Sequence, residues 1–250
     1  MSAKFAAVAP INFTINNTFT TALTITDAEQ GYIAVSYTNP SNNPFTANNL
    51  YMFLAQQSST QLPSTPAIAS ATAPSSGGTV ISPTGGNTFG AIPYLITYSV
   101  AAAVTASGTT TYQDLCATAW IPGVPIADPT QIQYFQPSLG INVVQPQLVS
   151  FQYNLPQGFD PSQGSWIGLW RGHVNPYAGS PWNAAPITLV GQSSGSSPLM
   201  VNPQSPIANG APYTAALFTS GWTTNPANLP KANIACYITF TTGAKVGDKT

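Results

Sequence analysis

Proline and glycine are spread through this 250-residue chain, which contains 24 Pro and 20 Gly. Proline cannot donate the backbone hydrogen bond that a helix interior requires, and its ring clashes with the preceding turn. No stretch of about 12 residues repeats its apolar positions with the 3.6-residue period of a helix. The sequence therefore disfavours long helices, and we expect the core to be built from short segments.

Those segments have the pattern of strands. Apolar and polar residues alternate in runs rich in Thr, Val, Ile, Tyr and Phe, most clearly over 13–15, 23–25, 33–37 and 149–153. Turn-forming pairs such as Asn-Pro and Gly-Gly separate the runs. Hydrophobic residues make up 43% of the chain, enough for a sizeable core. The sequence predicts an all-β protein built from antiparallel β-sandwiches.

The chain also repeats itself at a distance of 114 to 119 residues. The matching segments are 35–40 with 149–156 (offset 114), 51–55 with 166–170 (115), 93–96 with 212–215 (119) and 115–121 with 234–240 (119). One loop insertion explains the drift of the offset. We therefore predict two tandem immunoglobulin-like domains, 1–123 and 124–250, each close to the roughly 100 residues typical of that fold.

The two cysteines lie in equivalent last strands of this repeat. Cys116 and Cys236 are 120 positions apart, one more than the surrounding offset, so we expect them to face opposite sides of their strands. In different domains they would be too far apart for a disulfide, which needs Cα atoms within about 7 Å. The sequence predicts two buried free thiols. Together with the single histidine they show no metal-ligand spacing, so no metal site is expected.

Charge is the scarcest property of this chain. Charged residues are 4% of the sequence and the formal net charge is −1, against about 25% charged residues in ordinary domains. The five cations form no basic stripe, which disfavours nucleic acid and anionic membranes as partners. No apolar run reaches the roughly 18 residues of a membrane span, and residues 1–10 lack the apolar region of a secretory signal. The compartment stays open, because a secreted chain without its signal would have the same sequence.

One segment of the second half is similar to a known family. It contains Tyr-Asn-Leu-Pro at 153–156, Phe-Asp-Pro at 159–161 and Ser-Trp-Ile-Gly-Leu-Trp-Arg at 165–171. This resembles the signature of SKICH-type immunoglobulin-like domains, in which an Asp-Trp-Ile-Gly-Leu strand follows a loop with proline. Ser165 stands where the family usually has Asp, and the first half keeps only an aromatic-aliphatic trace at 51–54. The resemblance implies an immunoglobulin-like fold that serves docking rather than catalysis.

The same segment also allows an expectation from its pattern alone. Trp166, Gly168 and Trp170 would share one face of a strand, and Ile167 and Leu169 the other. Both faces are apolar, so we expect this strand to be covered on both sides.

Catalytic constellations are not supported by the sequence. Residues 191–195, Gly-Gln-Ser-Ser-Gly, match the nucleophile-elbow pattern, but that elbow requires a helix after the serine and a later histidine. The single histidine, His173, precedes it. Asp27 and Glu29 have same-face spacing, which is typical of a solvated turn. We predict no enzyme, no catalytic residues and no cofactor.

Self-assembly is the first functional hypothesis. A surface of hydroxyl and amide groups does not repel copies of itself, and sheet edges without Lys gatekeepers are open to pairing. The Thr-rich segment 12–26 is a candidate edge strand whose backbone could complete the sheet of a neighbour. Its predicted assembly residues are Asn12, Phe13, Thr14, Ile15, Thr24 and Ile25.

A carbohydrate-binding module is the alternative, with a protein-docking adaptor as a further possibility. Neutral sugars are bound by aromatic faces together with amide and backbone hydrogen bonds. One loop of the second half has that composition, with His173, Asn175, Tyr177, Trp182 and Asn183. The partners expected from the two hypotheses are other copies of the chain and a neutral glycan.

Overall fold

The strands of the molecule are short and numerous. The computed structural model describes residues 9–40, 48–55, 58–63, 65–73, 77–101, 103–106, 108–158, 163–177, 181, 187–225, 228–229 and 232–243. The strands are Phe13–Thr20 (β1), Ala22–Glu29 (β2), Tyr32–Thr38 (β3), Asn48–Leu54 (β4), Ala69–Ala73 (β5), Gly77–Ile81 (β6), Tyr94–Ser99 (β7), Val104–Ala106 (β8), Thr109–Thr111 (β9), Leu115–Ile121 (β10), Gln133–Phe135 (β11), Ser138–Gln145 (β12), Leu148–Asn154 (β13), Trp166–Arg171 (β14), Ile187–Leu189 (β15), Ser194–Met200 (β16), Pro212–Phe218 (β17) and Ile234–Thr242 (β18). A short 3-10 helix spans Pro129–Gln131.

The strands form two antiparallel β-sandwiches. In sandwich one, the sheet β2-β3-β6 lies against the sheet β11-β10-β7-β4-β5, and in sandwich two β12-β13-β16 lies against β1-β18-β17-β14-β15. The strands β8 and β9 form a separate hairpin. The prediction of an all-β fold with two immunoglobulin-like antiparallel sandwiches from an internal repeat is confirmed.

The repeat is visible in equivalent strand pairs. Tyr94 lies opposite Ile121 in sandwich one, and Tyr213 lies opposite Phe240 in sandwich two, which confirms the offset of 119. Tyr37 opposite Gly77 corresponds to Tyr153 opposite Gly195, so the offset of these earlier strands is 116 rather than 114. A slip of two residues keeps every side chain on its own face, and the alternating pattern therefore could not detect it.

The strand β4 shows the same slip. Leu54 pairs with Tyr94, and Arg171 pairs with Tyr213, so β4 and β14 correspond at an offset of 117 rather than 115. The predicted equivalence of the two strands was right, and its register was two residues off.

Each sandwich takes one of its outermost strands from the other half of the chain. Strand β1 pairs with β18, and β11 pairs with β10, so the two halves exchange equivalent strands. The apolar core is continuous through both sandwiches and includes Ile11, Leu23, Tyr98, Tyr213 and Ile238. The domain division at 123 and 124 stays a prediction, and two of the sheets contain strands from both sides of it.

Both faces of β14 are covered, as its pattern indicated. Ile167 and Leu169 join the main core, while Trp166 and Trp170 face a second layer. We call this layer the outer aromatic cluster; its buried members are Trp166, Trp170, Tyr177, Ala216, Phe218, Leu229, Ile234 and Tyr237. The rings of Trp166 and Phe218 are stacked with centroids 3.8 Å apart.

The two cysteines are free and buried, as expected. Their predicted orientation is wrong, because both side chains belong to the main core. The cause is a β-bulge in each strand. In β10 the register shifts between Leu115 and Ala117, so Cys116 is the extra residue. In β18 it shifts between Ile234 and Cys236, so Ala235 is the extra residue. An extra residue in one strand interrupts the alternation on which the expectation rested.

Candidate functional site at the sheet edges

The open sides of the sandwiches are the first candidate site. The outermost strands of the four large sheets are β1, β2, β5, β6, β11, β12, β15 and β16. One side of each sandwich is closed, because β5 contacts β6 and β15 contacts β16. In sandwich two this corner is joined by hydrogen bonds of Ser197 Oγ with Thr188 Oγ1 at 2.8 Å and with the Leu189 carbonyl at 3.0 Å. The opposite side, formed by β1 and β12, is more open and is joined at its two ends, where the Ile11 N–H donates to the Val144 carbonyl and the Thr20 hydroxyl donates to the Pro137 carbonyl, each at 2.7 Å.

Strand β1 is held mainly by its backbone. Seven of its residues pair with β18, and the register shifts between Ile15 and Asn17. Five of its eight residues are exposed. Two side-chain bonds support the ladder, from Asn17 Nδ2 to Thr239 Oγ1 at 3.2 Å and from Thr241 Oγ1 to Asn16 Oδ1 at 2.8 Å.

Both ends of β1 are fastened. Ile11 is buried in the main core, and its N–H donates to the Val144 carbonyl of β12 at 2.7 Å. At the other end the ring of Phe19 stacks on Tyr237 with centroids 4.4 Å apart. The next residue but one, Thr21, donates from both its N–H and its hydroxyl to the Ala235 carbonyl. These contacts set the register of an otherwise exposed strand.

The structure separates the predicted edge residues into two edges. Asn12 precedes β1, and Phe13, Thr14 and Ile15 lie in it, beside β18 of sandwich two. Thr24 and Ile25 lie in β2, at the edge of a sheet of sandwich one. The Ile25 side chain is buried, and its N–H donates to the Tyr134 hydroxyl at 3.2 Å. Of the two edges, β1 presents the larger run of exposed residues without a charge.

Charged residues are few along these edges. Among the described residues, the charged ones are Asp27, Glu29, Asp114, Asp128 and Arg171. Of these, only Asp27 and Glu29 lie in an edge strand, β2. Charged side chains are a common device against edge-to-edge pairing. Strands β1 and β12 lack that device.

In the aromatic loop predicted as a sugar site, the described side chains mostly bond to or pack against other parts of the molecule. His173 Nε2 lies 3.3 Å from the Phe240 carbonyl and 3.4 Å from Thr241 Oγ1. Asn175 Oδ1 accepts from the Tyr177 N–H at 3.0 Å. Tyr177 is 5% exposed within the outer aromatic cluster, and burial raises its pKa. Its ring face is not available for stacking on a ligand, and Trp182 and Asn183 lie outside the described residues.

A polar cleft on sandwich two is the second candidate site, which the sequence did not indicate. It has a volume of about 620 Å³ and crosses the three strands β12, β13 and β16. Its lining residues are Ser138, Leu139, Gly140, Gln152, Tyr153, Asn154, Ser194 and Gly195. The polar groups are hydroxyls and amides without charge. Alternating polar positions such as Gln152 and Asn154 were visible in the sequence, but not the concave shape that joins three strands.

A buried carboxylate links the two sandwiches. Asp114 is 2% exposed and has a positive φ of 56°, uncommon for a residue other than glycine. Its Oδ1 accepts from Thr219 Oγ1 at 2.6 Å, and Ser220 also bonds to the side chain. Burial raises the pKa of Asp114, and the two hydroxyl donors partly oppose that rise. A lone Asp before a strand gave no sign of this role.

Three other features are absent from the part of the chain that the structure describes: a metal cluster, a membrane-spanning helix and the helix of a nucleophile elbow. There, no group of three or more His, Cys, Asp or Glu residues could hold a metal ion. The same residues include no helix with the length and apolar character needed to cross a membrane. Residues 194–200, after the Gly-Gln-Ser segment, continue as strand β16 rather than as the helix of a nucleophile elbow.

Comparison with known proteins gave loose similarities. No protein-family model matches the sequence, and the search of curated proteins gave no match. A biofilm associated protein, BSP domain, is 12% identical over 91% of this chain, with a TM-score of 0.26, and the chain spans 30% of that structure's length. A two fibronectin type-III domain segment from chicken tenascin is 11% identical over 81% of this chain and 93% of its own, with a TM-score of 0.25. Neither similarity assigns a function.

Proposed function

We propose that this chain is a non-catalytic structural protein that self-associates into ordered assemblies through its uncharged surfaces and edge strands. One observation carries the proposal: β1 lies on the more open side of sandwich two, is mostly exposed and contains no charged residue. An edge of this kind presents backbone groups to another chain without electrostatic repulsion. The partner is another copy of the chain.

The wider surface supports the same function. The outer face of β13 carries Ser150, Gln152 and Asn154 between equally uncharged neighbours on β12 and β16. With a net charge of −1, the molecule lacks the self-repulsion that keeps many proteins monomeric. Contacts between such faces depend on packing and hydrogen bonds, so we expect assembly to persist at high salt.

The resemblance to SKICH-type domains is consistent with a docking role, which we keep as a proposal. The strand that carries the resemblance, β14, is buried on both faces. A docking surface would therefore lie on the loops or edges of sandwich two rather than on the Trp-Ile-Gly-Leu strand itself.

The test is an assembly measurement with a matched pair of variants. The wild-type chain is followed by light scattering and negative-stain electron microscopy over a concentration series, and it should form ordered assemblies at low and at high salt. Ile15→Lys places a charge on β1, where Ile15 is 40% exposed. Val80→Lys places the same charge at a side chain 47% exposed on β6, whose side of the sandwich is closed by β5.

We expect Ile15→Lys to raise the concentration needed for assembly about tenfold or more, because a Lys on the edge opposes pairing, and Val80→Lys to change it much less. A wild-type chain that stays a monodisperse monomer throughout would exclude the proposed function. Equal effects of the two variants would show that assembly uses surfaces other than β1.

Carbohydrate binding is a second candidate, favoured by the neutral polar cleft of sandwich two. A glycan array tests it, with Gln152→Ala/Asn154→Ala as the cleft variant. Ser36→Ala/Thr38→Ala changes the equivalent positions of sandwich one and is the control. Loss of a glycan signal in the cleft variant alone would support this function, and absence of any signal with the wild-type chain would exclude it for the sugars tested.

A further inference from the structure

The outermost strand of sandwich two comes from a distant part of the chain. Asn17 of β1 and Thr239 of β18 are 222 positions apart in sequence and bonded in the structure. Strand β1 continues through the single residue Thr21 into β2, which belongs to sandwich one. The strand that pairs with the edge of β18 is therefore connected along the chain to sandwich one, not to sandwich two.

Because of this arrangement, a second copy could supply the same strand. The ladder of seven paired residues and the stacking of Phe19 on Tyr237 would be the same with β1 from another molecule. Thr21, the single connecting residue, would give up its two hydrogen bonds to Ala235 while its own sandwich one stays in place. Exchange of an identical element conserves the contacts of the closed form, and a short connection between the exchanged element and its own domain favours it.

Strand β1 is better suited to exchange than its equivalent, β11. Five of the eight β1 residues are exposed, so the side chains that have to leave packed positions with β1 are few: Ile11, which precedes the strand, and the partly buried Phe13 and Phe19. Strand β11 has three paired residues and lies in the chain between β10 of sandwich one and β12 of sandwich two. Removal of β11 from β10 would therefore displace chain segments of both sandwiches.

We infer that β1 is an exchangeable strand and that assembly proceeds by pairing of β1 from one copy with β18 of the next. The inference rests on the proposed function and specifies its route. Reciprocal exchange between two copies gives a closed dimer, and one-directional exchange gives a filament. Simple addition of an extra strand to β1 is a different route, because it leaves β1 bound to its own β18.

A disulfide lock distinguishes the two routes. Thr14 and Thr241 are paired across β1 and β18, and paired residues of antiparallel strands have Cα separations suitable for a disulfide. Oxidation of Thr14→Cys/Thr241→Cys at low concentration, as monomer, locks β1 in its own sandwich. The control lock, Ser138→Cys/Asn154→Cys, joins β12 to β13 at an exposed pair that exchange leaves in place. The native thiols are buried in both.

Exchange predicts that the oxidised β1 lock stays monomeric at concentrations where the wild-type chain, the oxidised β12 lock and the reduced β1 lock assemble. It also predicts that oxidation of assemblies formed by the reduced β1 lock gives a ladder of disulfide-linked oligomers on non-reducing gels. Assembly of the oxidised β1 lock at the wild-type concentration would overturn exchange and leave the proposed function standing. A wild-type chain that never assembles would remove both.

Discussion

At the scale of single residues, Gly168 is the position where the packing of sandwich two leaves least room. It lies in β14 between two tryptophans on the same face. A Cβ there would come within 2.7 Å of the Trp170 ring and 2.8 Å of the Trp166 ring, closer than real contacts allow. The glycine thus permits two large rings to share one strand face, and its role is packing rather than backbone freedom.

Gly168→Ala should destabilise the protein by about 1–3 kcal/mol, the usual cost of overpacking a filled core. Urea unfolding followed by tryptophan fluorescence measures this change. Gly140→Ala is the control, because it also lies within a strand and its Cβ would meet nothing closer than the Gln152 carbonyl at 3.9 Å. Similar stability losses for the two variants would show that the tryptophan packing is not the cause.

Asp114 makes the stability depend on pH. Its pKa is raised in the folded state, mainly by burial, so folding favours the protonated form. The stabilisation from this group is fully present below the unfolded pKa of about 4 and is lost as the pH rises through the folded pKa. A buried carboxylate that loses its proton is therefore less stabilising at neutral pH.

Asp114→Asn removes this titration while keeping a side chain that tolerates positive φ and can bond to Thr219. We expect the unfolding free energy of the variant, relative to wild type, to rise from pH 3 to about pH 7. Denaturation of both proteins over a pH series tests this expectation. The difference between their free energies of unfolding removes the contribution of other titrating groups, such as Asp128, whose pKa is lowered by Thr130. A difference that is constant with pH would contradict the assignment.

At the scale of elements, edge strands should open before central ones. Strand β1 pairs on one side only, whereas β17 lies between β14 and β18. Local opening of β1 exposes few buried side chains, so its free energy is low. Hydrogen exchange followed by mass spectrometry should show faster exchange in peptides covering 13–20 than in peptides covering 212–218. Equal protection of both would mean that β1 opens only with the whole molecule.

The alternating pattern identified strands well and their neighbours poorly. It predicted β3, β13 and the two covered faces of β14, because alternation and burial are properties of a single strand. It treated 12–26 as one edge strand, although the chain changes sheets at Thr21. Thr21 is buried and bonded to Ala235, a contact that lies 214 positions away and has no local signal. Bulges at β1, β10 and β18 were hidden for the same reason.

The candidate sites show the same limit. The absence of charge along β1 was read directly from the sequence, since it needs no partner. The polar cleft and the bridge from Asp114 to Thr219 depend on strands that meet only in the folded chain. The aromatic loop had a suitable composition for sugar binding, but composition could not show that Tyr177 is turned into the outer aromatic cluster.

At the scale of the whole molecule, the exchanged strands connect the two sandwiches. Strand β1 attaches sandwich one to β18, β11 attaches sandwich two to β10, and the main core runs through both. Asp114 and Thr219 add a buried hydrogen bond between them. Neither sandwich can unfold without exposing an edge and part of the core of the other.

Thermal unfolding should therefore be a single cooperative transition despite the two sandwiches. Calorimetry should give equal calorimetric and van't Hoff enthalpies at concentrations below those of assembly. Gly168→Ala, which lies in sandwich two, should lower the temperature of the entire transition, because sandwich one depends on contacts with the altered half. Two transitions, of which Gly168→Ala moves only one, would show that the exchanged strands connect the sandwiches without coupling their stability.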